Sequence, residues 1–137
     1  MHTIDRLPLR TLLRLDSATC AVMGAALTLG SGGLSAPLGL PSAVLFPAGL
    51  ALFPIAAFML FAARGGTVAA RLVVAGNVAW VLASLVLVLV ARPSGAGVAF
   101  VLAQAIAVAA FAALERRALV RDGAARAATP GTLEHAS

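Results

Sequence analysis

The sequence predicts an all-α fold: a membrane-embedded up-down four-helix bundle with both termini cytoplasmic. Three observations predict it. The 137-residue chain is 61% hydrophobic and only 11% charged, whereas soluble domains carry about 25% charged residues. A soluble domain this short has too much surface for its volume to hide that many apolar side chains. Four stretches reach the ~20 mostly apolar residues that a helix needs to cross hydrocarbon. The links between them are short and rich in Gly, Pro and Ser, which suits turns between up-down neighbours and leaves no room for a soluble domain.

The first span is expected at about residues 12–30, ending in "GSGG", and the second at about 43–63, "AVLFPAGLALFPIAAFMLFAA". The third is expected at about 68–91 and the fourth at about 97–119. Residues 1–121 thus form the four-helix domain. From Asp122 onward, "DGAARAATPGTLEHAS" loses its apolar content and reads as a flexible cytoplasmic tail. The amino-terminal arginines followed by an apolar run resemble a signal peptide. Asp16 interrupts that transition and three more apolar segments follow, so the segment is read as a retained span. In the second span Phe46 and Phe53, and likewise Pro47 and Pro54, recur seven residues apart. Pro47 lies near the helix start, where a missing N–H costs little. Pro54 lies near mid-span and removes a backbone hydrogen bond, giving either a packing kink or a hinge beside a cavity.

The arginines set the orientation. In an up-down bundle one side holds Arg6, Arg10, Arg14, Arg64, Arg71, Arg116, Arg117, Arg121 and Arg126, and the other holds only Arg92. The positive-inside rule puts the rich side in the cytoplasm. Every basic residue is arginine and alanine abounds, a bias of high-GC bacterial genomes, so the expected location is the bacterial inner membrane. The arginines flank apolar runs instead of forming a stripe with interleaved aromatics, which points to a lipid bilayer as partner and away from nucleic acid.

The polar residues inside the spans are few. On a helix, positions three, four and seven apart share a face, so Asn77, Trp80 and Ser84 form one stripe on span three. Gln104 and Glu115, eleven apart, align on span four; Asp16 and Cys20 lie one turn apart on span one. At ~1.5 Å per residue, Gln104 sits about 16 Å deeper than Glu115. Polar groups within a membrane face the bundle interior, so Asp16, Asn77, Gln104 and Glu115 are expected to point inward, with Trp80 seeking an internal acceptor. Arg14, Arg71 and Arg116 are the available countercharges. Two readings follow. In one, Asn and Gln join helices by hydrogen bonds, Asp16 with Ser17 caps the first helix, and Glu115–Arg117 is an interfacial cluster. In the other, these groups line a pocket. Small residues at four-residue spacing, Gly24 with Thr28 and Ala26 with Gly30, favour close helix packing, as do Gly76 and the alanines around it on span three. Four short spans also leave surface for a homo-oligomer.

No phosphate-binding glycine loop is present, and the two histidines, His2 and His135, sit in opposite tails. Asp16, Cys20 and Met23 form a poor ligand set for any common metal, so no metal, cofactor or catalytic residue is expected. The lone Cys20 excludes an intramolecular disulfide. The segments "LRLDSAT", "NVAWVLAS" and "QAIAVAAFAALERRAL" resemble those of small bacterial four-span integral membrane proteins labelled only as uncharacterised. That resemblance implies a fold across residues 9 to 121 and no activity. The first functional expectation is a non-enzymatic scaffold or accessory membrane subunit. The alternative is binding or transport of a small molecule, lipid or ion through a cytoplasm-facing polar pocket.

Overall fold

The computed structural model describes residues 3–129. A short 3-10 turn, Ile4–Arg6, precedes four helices: α1 (Leu9–Leu38), α2 (Ser42–Ala63), α3 (Thr67–Ala91) and α4 (Gly95–Ala128). Among the described residues there is no strand, and all four helices are long and apolar enough to cross a membrane. Their outward faces are apolar too: Leu29 is 87% exposed and Val90 76%. Such a surface matches hydrocarbon, since soluble monomers rarely expose large contiguous apolar patches.

Two helices run past their expected ends. The Gly- and Ser-rich segment after Gly30, expected as a link, stays helical to Leu38. Gly32 and Gly33 have open space around them, so nothing packs there to distort the backbone, and the end of α1 is fastened beyond them. Gly39 caps it at φ 62°, a left-handed conformation that glycine adopts without strain. Leu38 and Leu40 are buried, and Ser94 ties the corner to α4. Its amide donates to the Leu38 carbonyl (3.1 Å) and its hydroxyl to the Pro37 carbonyl (2.7 Å), while that hydroxyl also accepts from the Gly97 amide (3.0 Å). At the far end, α4 continues through Asp122 to Ala128. The expected tail is helical up to that point; residues 130–137, with His135, and likewise His2, lie outside the described residues.

α1 and α2 pack backbone to backbone. A Cβ on Gly24 would lie 2.9 Å from the Gly49 carbonyl oxygen, and one on Gly49 would lie 2.7 Å from the Thr28 amide nitrogen. Where two backbones touch, small residues are required. The Ser17 hydroxyl donates to the Ala56 carbonyl (2.8 Å) across the same interface, so the start of α1 lies against the latter part of α2. Leu13, Leu27, Leu45, Leu52, Met59, Val73 and Val101 fill the core. α1 also packs on α4 and α4 on α3; α2 and α3 touch least among the neighbouring pairs.

Candidate functional site

Three helices bring their polar residues to one place. Asp16 of α1 and Glu115 of α4 are buried at 1% and 0% exposure, and Asn77 of α3 at 5%. The Asn77 amide reaches both acids, donating to Asp16 Oδ2 (2.7 Å) and Glu115 Oε2 (3.2 Å). One side-chain amide carries two N–H donors, so a single Asn bridges the pair. The Cys20 thiol, one turn along α1, points at Asp16 Oδ1 at 3.9 Å. Glu115 Oε1 is also buried, and no donor among the described residues serves it.

The countercharges expected from the sequence do not form. Among the described residues, ion pairs occur only between Arg117 and Asp5 (3.2 Å) and between Arg121 and Asp122 (3.8 Å). Arg14, Arg71 and Arg116 are exposed. Helical geometry explains this: Arg116 follows Glu115 by one residue, about 100° around the axis, and Arg14 stands two residues from Asp16, more than half a turn away. Nor does Asp16 cap α1. The helix begins seven residues earlier, with Pro8 at its N-cap.

A second cluster lies farther along the same face of α3. Trp80 Nε1 donates to Gln104 Oε1 (2.9 Å), Gln104 Nε2 donates to Ser84 Oγ (2.8 Å), and the Ser84 hydroxyl donates back to the Trp80 carbonyl (2.8 Å). Gln104 also donates to the Val101 carbonyl (3.0 Å). The ring closes on itself and joins α3 to α4.

Beside both clusters lies a cavity of about 390 Å³ with walls from all four helices. Asp16, Thr19, Cys20, Asn77, Trp80 and Gln104 are the polar residues that line it, and apolar residues such as Met59 and Phe111 form most of its wall. Its size is roughly two to three times the ~150 Å³ of an engineered cavity that holds benzene, and it lies within the range of small-molecule sites. Pro54 lines it, so the mid-span proline borders the cavity. So does Gly76, where an added Cβ would meet nothing within 4 Å. By composition Gly76 is one more small packing residue; its place directly before the polar stripe is the only signal of its position at the cavity wall. Among the described residues no group of three or more His, Cys, Asp or Glu side chains is arranged to hold a metal ion. Comparison with protein families, with curated proteins and with solved structures finds no match.

Proposed function

We propose that this chain is a non-enzymatic multi-pass protein of the bacterial inner membrane that binds a small amphiphile between its helices. Its helices run up and down, with both termini cytoplasmic. The contacts of early α1 with late α2 and of late α1 with early α4 support the up-down course, and the arginine asymmetry supports the cytoplasmic side. Single-cysteine reporters in a Cys20→Ser background test it. Gly65→Cys is expected to stay dark to an impermeant maleimide added outside intact cells, and Gly95→Cys to label. The reverse pattern rejects the orientation.

The cavity carries the functional reading. Apolar walls favour an apolar body through the hydrophobic effect, and the few polar groups at its edge would orient one polar head. Because Asp16 borders the cavity with no arginine beside it, the head of best fit is a hydrogen-bond donor or a cation. Benzyltrimethylammonium and its neutral isostere neopentylbenzene are suitable probes. The cation is expected to raise the unfolding midpoint in detergent more than the isostere does. Gly76→Leu, which projects a side chain into the open space, should abolish both responses. Its own stability should hold or rise, since leaving glycine in a helix interior costs about 0.5–1 kcal/mol. Wild-type protein indifferent to both probes, or a response that survives Gly76→Leu, rejects the reading. A scaffold or accessory role is the second reading, supported by the Trp80–Gln104–Ser84 ring, whose hydrogen bonds are all spent within the bundle.

A further inference from the structure

We infer that the end of the bundle where α1 begins and α4 finishes carries a separate binding site for a phosphate group. A recess of about 530 Å³ opens there among α1, the α2–α3 link, the start of α3 and the last turns of α4. Arg10, Arg71, Arg116 and Arg126 line it, from three different helices, against a single carboxylate, Asp122. Among the described residues none of these four arginines pairs with an acid. Arg126 donates to the Thr67 hydroxyl (3.2 Å), a neutral partner that leaves its charge unbalanced. Two arginines nearby, outside the recess, are differently employed. Arg117 holds Asp5, and Arg121 is spread over the carbonyls of Asp5 and Leu7 and the Asp122 carboxylate.

Converging guanidinium groups repel one another unless an anion joins them, and their planar forks match phosphate oxygens two at a time. The backbone adds to the same field. α3 opens beside the recess with Gly66 at its N-cap and no side-chain cap, so its first amides are free and the positive end of its dipole faces the site. Apolar residues, Leu13, Val74 and Leu119 among them, form the rest of the lining. Basic pockets between membrane helices suit anionic headgroups. A phosphodiester on a lipid and free phosphate share the recognised chemistry, and the two sources can be told apart experimentally.

The test uses the full chain in neutral detergent. It is titrated with short-chain phosphatidylglycerol, short-chain phosphatidylcholine or inorganic phosphate, and thermal unfolding is read at each concentration. Phosphatidylglycerol is expected to raise the midpoint saturably while phosphatidylcholine does not. An equal saturable rise with inorganic phosphate assigns the site to free phosphate instead. The double variant R71Q/R116Q should weaken the apparent affinity roughly thirtyfold, at about 1 kcal/mol for each arginine. Both side chains are exposed, so the core is untouched. Gly123→Leu separates a seated ligand from diffuse charge attraction. Gly123 lines the recess and a Cβ there meets nothing within 4 Å, so leucine obstructs the site and keeps every arginine. Loss of the saturable response in Gly123→Leu, with Arg92→Gln unaffected, supports the site. A response undiminished in either R71Q/R116Q or Gly123→Leu overturns it, as does wild-type protein insensitive to both phosphate sources.

Discussion

Gly97→Ala is expected to cost about 3 kcal/mol, the upper end of the usual penalty for overpacking. The added Cβ would fall onto the Leu38 carbonyl oxygen and within 2.7 Å of the Pro93 Cβ. Neither obstacle is the loose end of a flexible side chain. The Leu38 carbonyl is backbone and already accepts the Ser94 amide, so relief requires the end of α1 to move off α4. That movement would strain both Ser94 links to α1 and open the burial of Leu38 and Leu40. Gly95→Ala is the control. It lies two residues away on the same helix, where a Cβ has open space, and should stay within about 0.5 kcal/mol of wild type. Unfolding in detergent, by heat or denaturant, compares the three proteins. Matching midpoints for Gly97→Ala and wild type would show that the corner does not hold α1 against α4.

The helices themselves were legible because lipid-length apolar runs are a strong signal. So was the common face of Asn77, Trp80 and Ser84, which follows from helical spacing alone. The end of α1 was not legible. Residues 31–38 have the composition of a turn, and what keeps them helical is a contact with Ser94 some 57 residues beyond Pro37. The pairing of the acids was hidden for a related reason. Sequence proximity offered arginines to Asp16 and Glu115, but the helix turns those arginines outward and presents Asn77 from another helix. Cavities are harder still to read, because they are made by what adjacent helices fail to fill. Gly76 and the sparse contact between α2 and α3 become informative only once the helices are side by side. The arginine-lined recess sits in between. The chain order brings its four arginines to one end of the bundle, while their convergence on one side of that end depends on packing.

Asn77→Leu is expected to lower stability by about 3 kcal/mol, above the ~0.6–2 kcal/mol of one interhelical hydrogen bond in a membrane. The excess arises because one amide serves two buried acids. Removing a shared partner costs the unmet need of everything left behind, not only the bond itself. Leucine is close to asparagine in size, so the loss would not be a packing defect of comparable scale. A double-variant cycle separates these causes. Glu115→Gln puts a new amide donor beside Asp16 and removes one of the two acids. In that background Asn77→Leu should cost only about 1 kcal/mol, the ordinary worth of one hydrogen bond. An equal cost in both backgrounds would mean that Asn77 acts through its shape and that the acids do not depend on it. The same cycle bears on the cavity. Asn77 and Asp16 both border it while Glu115 does not, so Glu115→Gln should leave the response to benzyltrimethylammonium in place, and Asn77→Leu, which replaces a polar wall group by an apolar one, should weaken it.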